Sequence, residues 1–360
     1  MSEPRQTNCQ SHNNTSLEDY TMATIKEIAA LAGVSRGTVD RVLNNRGAVN
    51  PITAEKVREI AKALDYKPNK AGLVLAAQKK KVKLGVILFS TDNPFFADVL
   101  KGVNEKAQDL AGYNCSVLVK QIPINVDTQL RAIDELLREE VSGIALAPQN
   151  DERIRLRINA LCEQGIPVVT LNTDIENSKR IAYVGSNYTK SGKTAAGLLR
   201  LMTHNIVQIG IITGSSDILC HTERIAGFTE ALRPYQKQMQ IVSIVETQDD
   251  EIESYEQTSR LLKEHPEINA LFFAAGGVYG GCRAIDSLGL AGRLRTIAYD
   301  KADTTEHFLQ RGILSAVICQ QPRIQGQKPL ELLFNYLTSG ESPDKECYYT
   351  AVDIRILENI

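Results

Sequence analysis

Two arginines in a short segment near the start of the chain have side chains suited to reading nucleic acid. Arg36 and Arg41 lie within residues 28–44, where Ala29, Gly33 and Val39 have helix-turn-helix spacing. A small Ala29 lets two helices approach, Gly33 fits the turn, and Val39 packs the second helix on the first. Arginine can fork onto O6 and N7 of guanine, a contact worth about 1–3 kcal/mol of discrimination. The pattern predicts a helix that reads base edges in the major groove.

The charge distribution agrees with a nucleic-acid-binding head. Residues 22–81 contain 12 Lys/Arg and 5 Asp/Glu, whereas the other 300 residues contain 29 and 38, although the whole chain carries only −2. A basic head on an acidic body is expected when one end of a protein approaches phosphate.

Three short helices are predicted in this head. Thr24 and Glu27 have the spacing of a capping box, and this first helix ends at Gly33. Ser35 is a good N-cap for the second helix, and the third begins at Asn50-Pro51. Its predicted apolar stripe consists of Ile52, Val57, Ile60, Ala61 and Leu64.

From Val82 onward, short apolar runs alternate with amphipathic stretches of helical length. This texture predicts parallel sheets with helices on both faces, and the number of strands predicts two doubly wound lobes with a ligand cleft at the strand ends. The nine candidate strands are 84–89, 115–119, 143–147, 168–171, 207–212, 241–245, 270–273, 294–298 and 315–318.

Other classes of protein are disfavoured. The seven cysteines are scattered, with no metal-binding spacing, and no apolar run reaches the roughly 18 residues of a membrane span. Residues 1–21 lack the apolar core of a secretory signal, so we expect a cytoplasmic protein that starts either at Met1, with a disordered tail, or at Met22. Residues 276–281 do not form a dinucleotide-binding fingerprint, and no Walker lysine motif or nucleophile elbow occurs, which disfavours an enzyme. No cofactor is expected.

Residues 28–44, the third helix and residues 65–76 together resemble the headpiece of the lactose-repressor (LacI) family. That family ends its headpiece with a Tyr-x-Pro-Asn sequence, found here at residues 66–69, which opens a hinge helix. The resemblance implies base contacts for Arg36, Gly37 and Arg41, of which glycine offers no side chain. It also implies DNA contacts for Asn69 and for Leu75, which would insert as an apolar wedge into the minor groove.

The resemblance further implies a set of phosphate contacts from hydroxyl and amide side chains, which position a protein without specifying sequence. Helix capping is the alternative role for such residues, above all for Ser35. The implied phosphate-contacting residues are Thr24, Ser35, Thr38, Asn44 and Thr53.

Residues 82–357 resemble the ribose/galactose type of periplasmic sugar-binding proteins, a fold that also forms the body of the repressor family. The clearest match is the segment 90–96, where the resemblance implies that Asn93, Phe95 and Phe96 contact a sugar. Paired phenylalanines at a helix start are otherwise ordinary core residues. The resemblance adds an arginine clamp, a carboxylate that accepts hydroxyls, and a glutamine near the hinge, and these are Arg224, Asp300 and Gln320.

The sequence also departs from the sugar binders. Asn172-Thr173 followed by Asp174 replaces an Asp-Arg pair, and Gly276-Gly277 replaces Asn-Asp. Asn172 and Asp174 are nevertheless expected to contact the effector. The glycines predict room for a ligand larger than a pentose. His221 could add a titratable contact, although a lone histidine is more often structural.

The sequence therefore predicts a DNA-binding regulator, controlled by a small polar effector and acting as a homodimer on a palindromic operator. Its domains would be a helix-turn-helix domain at 22–68, a hinge and linker at 69–81, and a ligand-binding domain at 82–360. Lobe 1 would comprise about 82–182 and 321–346, and lobe 2 about 183–320 and 347–360. A secreted transport receptor is the competing class, but such a receptor has no use for a basic helical head. Effector identity, repression or activation, and dimer or tetramer remain open at this point.

Overall fold

The computed structural model describes residues 24–43, 49–64, 66, 81–89 and 93–360. The chain divides into two compact units, residues 1–72 and 73–360. In the described residues, no helix is long and apolar enough to cross a membrane.

The first unit contains three short helices around a small apolar core. They are α1 (Ile25–Ala32), α2 (Arg36–Leu43) and α3 (Pro51–Ala63). The expected capping box is present, since Thr24 Oγ1 accepts from the Glu27 amide at 3.3 Å and the Glu27 carboxylate accepts from the Thr24 amide at 2.7 Å. Gly33 ends α1 with φ of 70°, the left-handed conformation that glycine adopts without strain. Ile28, Val39 and Val57 are fully buried where the helices meet.

The buried face of α3 differs from the predicted stripe. Ile52 is 82% exposed and Leu64 is 37% exposed, whereas Ala54, Val57 and Ala61 are buried. The i, i+3, i+7 spacing of these three residues defines a narrower face, and a short helix against two others needs no more. The prediction for Ile52 and Leu64 was therefore wrong.

The second unit contains two six-stranded sheets with helices between the strands. In spatial order the first sheet is β11-β5-β4-β3-β1-β2 and is parallel throughout. Its strands are β1 (Val82–Phe89), β2 (Cys115–Ile122), β3 (Gly143–Leu146), β4 (Val168–Leu171), β5 (Ala182–Gly185) and β11 (Cys347–Tyr349). The helices between and beside them are α4 (Pro94–Ala111), α5 (Val126–Arg138), α6 (Glu152–Glu163) and α12 (Pro322–Ser339). We call this part lobe 1.

The second sheet, in the order β12-β10-β9-β8-β6-β7, is parallel except for β12, which runs antiparallel to β10. Its strands are β6 (Val207–Thr213), β7 (Met239–Glu246), β8 (Ala270–Phe273), β9 (Arg295–Tyr299), β10 (Ala316–Cys319) and β12 (Asp353–Arg355). The accompanying helices are α7 (Tyr188–Met202), α8 (Leu219–Leu232), α9 (Glu251–Glu264), α10 (Val278–Ser287) and α11 (Asp303–Gln310), with a 3-10 turn at Arg233–Tyr235. We call this part lobe 2.

All nine predicted strands are present, and the two parallel α/β sheets confirm the predicted fold class. The predicted lobe boundaries need correction. The strand β5 pairs with β4, and β11 pairs with β5, so residues 183–185 and 347–349 belong to lobe 1 rather than lobe 2. The chain passes between the lobes after β5, after β10 and after β11. Short strands near these crossings are stable because the sheet that they join supplies their pairing partners.

Candidate functional site

A cavity lies at the strand ends of the two sheets and is lined by both lobes. Its empty space is about 790 Å³, including open solvent at the mouth. The cavity brings together eight of the nine predicted effector-binding residues, although they are spread over more than 200 positions of the sequence. These residues are Asn93, Phe95, Phe96, Asn172, His221, Arg224, Asp300 and Gln320.

Asp174 lies outside this cavity, which corrects the expectation from the sequence. Its carboxylate accepts from Arg180 Nε at 2.7 Å and from Arg180 Nη2 at 2.5 Å, and the Thr170 hydroxyl donates to it at 2.7 Å. It borders a separate cavity with Glu176 and Glu223. The structure therefore does not bring Asp174 to the cavity that the other eight residues line.

Arg224 is the most constrained cation of the cavity. Its Nη1 donates to the Ala274 carbonyl at 2.7 Å and its Nη2 to Gln320 Oε1 at 3.0 Å. The guanidinium carbon lies 3.8 Å from the ring centre of Tyr299 and 4.7 Å from that of Tyr188. Although the side chain is only 3% exposed, its Nε has no hydrogen-bond partner among the described residues. A buried donor without a partner carries a desolvation cost that a ligand oxygen could remove.

Two glycines place Arg224 by allowing α7 and α8 to touch. A Cβ on Gly192 would lie 2.0 Å from the Arg224 carbonyl oxygen, and a Cβ on Gly227 would lie 2.0 Å from the Thr189 carbonyl oxygen. Backbone therefore packs on backbone at this crossing, and this contact holds the Arg224 side chain beside Tyr188.

Gln320 links Arg224 to Asp300. While its Oε1 accepts from Arg224, its Nε2 donates to both carboxylate oxygens of Asp300, at 3.1 and 2.9 Å. Burial raises the pKa of Asp300 to about 6, against the opposing effects of Arg224 and the Gln320 hydrogen bond. Asp300 has φ of 65°, a conformation that aspartate and asparagine tolerate better than other side chains. Asp300 lies at the cavity, as the resemblance to sugar-binding proteins implied, and follows the buried strand β9.

Phe95 and Phe96 are both core residues and cavity residues. They are 5% and 7% exposed, and their rings pack edge to face at 5.3 Å, with Phe89 at 5.6 Å from Phe96. Asn93 Oδ1 accepts from the Phe95 amide at 3.0 Å and so caps α4. This leaves the Asn93 Nδ2 donors for the cavity that the residue lines. The two roles that the sequence left open for the phenylalanines are therefore compatible.

Asn172 lines the cavity and makes a hydrogen bond to a residue of the other lobe. Its Nδ2 donates to the Tyr188 hydroxyl at 3.0 Å, and the residue is 5% exposed with φ of 61°. Asn172 lies after β4 in lobe 1, whereas Tyr188 begins α7 in lobe 2.

Asp249 is a cavity residue that the sequence reasoning missed. Its Oδ1 accepts from the Gly276 amide at 2.6 Å, and its Oδ2 lies 3.8 Å from Nε2 of His221. A Cβ on Gly276 would lie 2.8 Å from Asp249 Oδ1, so the carboxylate fills the space that the glycine was predicted to leave for a larger ligand. The position of Asp249, shortly after the predicted strand 241–245, is the signal that could have revealed it.

His221 also lines the cavity as predicted, with its Nδ1 donating to the Ser215 carbonyl at 3.1 Å. Burial, the largest single effect, lowers its pKa, but the charges of Asp249 and Cys220, together with a hydrogen bond to Cys220, outweigh burial and raise the pKa to about 9. The imidazole is therefore protonated on both nitrogens at neutral pH.

In the first unit, α2 presents the predicted base-reading residues to solvent. Arg36, Gly37 and Arg41 are exposed, while Val39 and Val42 on the same helix are buried. The residues predicted to contact phosphate comprise exposed Thr24 and Ser35, and half-buried Thr38 and Thr53. Three further predicted DNA contacts lie outside the described residues, and these are Asn44, Asn69 and Leu75.

Two of these hydroxyls also cap helices. Ser35 Oγ accepts from the Thr38 amide at 3.1 Å and is hydrogen-bonded to Thr38 Oγ1 at 2.9 Å. Thr24 Oγ1 is engaged with Glu27. Capping, the alternative role considered for Ser35, is therefore present, and a hydroxyl oxygen can still take part in a further hydrogen bond.

Two family models match the chain. The model described as "Bacterial regulatory proteins, lacI family" matches residues 24–69, and that described as "Periplasmic binding protein domain" matches residues 84–342. Catabolite control protein A of Priestia megaterium is 29% identical over 266 residues, which cover 71% of this chain and 76% of that protein. The HTH-type transcriptional regulator MalR of Clostridium butyricum is 24% identical over 343 residues, covering 93% and 97%.

A solved structure supports the same assignment for the body. GanP, a glucose-galactose binding protein from Geobacillus stearothermophilus, superposes with a TM-score of 0.72 at 25% identity over 78% of this chain and 99% of that one. The chain is therefore a transcriptional regulator of the LacI family, with a helix-turn-helix head and a sensor domain of the periplasmic-binding-protein type.

Proposed function

We propose that this regulator is a repressor that binds an approximately palindromic operator as a homodimer and is controlled by a sugar or polyol bound between its two lobes. The observation that carries the effector site is the buried network of Arg224, Gln320 and Asp300, which borders the cavity and leaves Arg224 Nε without a partner. Such preset hydrogen-bonding groups suit the hydroxyls of a polar ligand, and the faces of Phe95 and Phe96 suit its C–H surface.

A cytoplasmic DNA-bound role follows from the head. Arg36 and Arg41 would specify bases, whereas Thr24, Ser35, Thr38, Asn44 and Thr53 would fix the head against phosphates. Asn69 and Leu75 would belong to the hinge, with Leu75 inserted at a base step in the minor groove. One head reads one half-site, so a dimer implies a two-fold related pair of half-sites.

The effector would act by favouring one arrangement of the lobes. The Asn172–Tyr188 hydrogen bond joins the lobes beside Arg224. A ligand held between Phe95 of lobe 1 and Arg224 of lobe 2 would contact both lobes and so change the relative stability of open and closed forms. The operator affinity changes by the same free energy as the ligand's differential affinity for the two forms.

The test combines ligand screening with operator binding. A thermal-shift screen of sugars, polyols, sugar phosphates and purines should identify the effector, because a ligand that binds only the native state raises the melting temperature. Arg224→Ala should abolish the effect of that ligand on operator affinity while leaving operator binding itself intact. A wild-type effector response from Arg224→Ala would show that the ligand does not bind at this cavity.

A further inference from the structure

His221 and Asp249 form an incomplete pair in the wall of lobe 2. One atom of each side chain is fixed by backbone, since His221 Nδ1 donates to the Ser215 carbonyl and Asp249 Oδ1 accepts from the Gly276 amide. The other two atoms, His221 Nε2 and Asp249 Oδ2, lie 3.8 Å apart. This separation is too long for a direct hydrogen bond.

The gap between His221 Nε2 and Asp249 Oδ2 allows one oxygen atom to form a hydrogen bond with both. An oxygen about 2.8 Å from each of the two atoms would form a triangle with the 3.8 Å side. Both residues line the cavity, and His221 and Asp249 side chains are only 8% and 14% exposed. A bond made there would be shielded from bulk water, which strengthens it.

The charges define which oxygen fits. Asp249, Cys220 and Arg224 act on His221, and the net effect after burial is a raised pKa of about 9, so Nε2 carries a proton. The oxygen must therefore accept from Nε2–H and donate to the Asp249 carboxylate. A hydroxyl does both, whereas a keto, ether or carboxylate oxygen cannot donate.

We propose that His221 and Asp249 clamp one hydroxyl of the effector and so select ligands that carry a hydroxyl at that position. The inference rests on the proposed function, in which a sugar or polyol enters this cavity. It predicts that a deoxy, keto or acidic group at the clamped position is rejected, because it leaves two buried charged groups without their hydrogen bonds.

The experiment measures how deletion of each ligand hydroxyl affects affinity, by titration calorimetry with the full chain. The first probes are D-glucose, D-galactose, D-allose and D-ribose, followed by the monodeoxy and monofluoro derivatives of the tightest binder. Asp249→Asn keeps an oxygen that can accept from the Gly276 amide, and His221→Asn keeps a donor for the Ser215 carbonyl while removing Nε2. Glu256→Gln, an exposed carboxylate on α9 that does not line the cavity, is the matched control.

We expect one deoxy position to lose about 100-fold in affinity in the wild type and in Glu256→Gln, the size expected when a buried donor or acceptor loses its hydrogen-bond partner. The fluoro derivative at that position should lose as much, because fluorine cannot donate to Asp249. In Asp249→Asn and His221→Asn the same deletion should change affinity less than about 3-fold. Unchanged penalties at every position in both variants would overturn the clamp but leave the cavity as the effector site. If none of the neutral sugars bound, the proposed effector class would be wrong, and the clamp with it.

Discussion

Replacing Asp300 with asparagine should remove most of the pH dependence of effector binding between pH 5 and 7. Asparagine has nearly the same shape and tolerates the φ of 65° at this position, so the substitution tests charge rather than fold. The wild-type carboxyl has a pKa raised to about 6 by burial, with Arg224 opposing and Asp98 adding to the shift.

The magnitude follows from this pKa. A carboxyl of pKa about 6 is about 90% ionised at pH 7 and about 10% ionised at pH 5. Ligand hydroxyls donate to the ionised form, so binding favours ionisation and affinity rises as pH rises through 6. Wild-type affinity should fall about 10-fold from pH 7 to pH 5. At pH 7 the loss of a charged acceptor should weaken Asp300→Asn by about 10- to 100-fold, and its affinity should be nearly flat with pH.

Stability of the ligand-free protein should respond in the opposite sense. Because the folded-state pKa of Asp300 lies above its ordinary value of 3.8, the protonated form is favoured by folding, and this contribution is lost as pH rises through about 6. As pH rises from about 3.8 to about 6, the free energy of unfolding should therefore fall less in Asp300→Asn than in the wild type.

Calorimetry in two buffers of different ionisation enthalpy separates this mechanism from general pH effects. At pH 5 the wild type should release close to one proton on binding, and Asp300→Asn should release almost none. Asp303→Asn, an exposed neighbour on α11, is the control and should behave as the wild type. If the variant kept the wild-type proton release and pH slope, Asp300 would not be the group that receives the effector.

Three further predictions concern the helix crossing, base reading and the hinge. Gly192→Ala should lower the stability by about 1–3 kcal/mol and weaken effector binding, because its Cβ would lie 2.0 Å from the Arg224 carbonyl oxygen. Gly197→Ala on the same helix has no atom within 4 Å and should be neutral or stabilising by up to about 1 kcal/mol in chemical denaturation, and equal behaviour of the two variants would contradict the close crossing. Arg36→Ala should cost about 1–3 kcal/mol of operator affinity and relax selectivity at one base pair in a competition assay with substituted operators, and an unchanged preference would show that Arg36 reads no base. Leu75→Ala should reduce both operator affinity and the DNA bend angle in a gel-phasing assay, and no change in either would remove the proposed wedge.

The residues predicted for the cavity came mainly from the resemblance to sugar-binding proteins. For Asp300 and Gln320 the general rule for parallel sheets agrees with that resemblance, because both residues closely follow apolar runs. Arg224 depended on the resemblance to sugar-binding proteins, since nothing in its local pattern directs it to a cavity.

The errors came from interactions that no local pattern reveals. The Asp174 carboxylate accepts hydrogen bonds from Arg180, and the Asp249 carboxylate fills the space beside Gly276. Both contacts depend on the conformations of loops, which no local sequence pattern predicts. The strands β11 and β12 contain three residues each, too short to show periodicity, and each pairs at the edge of its sheet. The unpredicted strands β5 and β11 extend the first sheet beyond β4. Their placement moved the lobe boundaries.

The most direct test of the account is operator selection by the purified full chain at physiological salt. Selection from random duplexes should yield an approximately palindromic site bound at least about 1,000-fold more tightly than unrelated DNA, and the identified sugar or polyol should change that affinity in the wild type but not in Arg224→Ala. Equal affinity for all duplexes, with and without these ligands, would contradict the central claim.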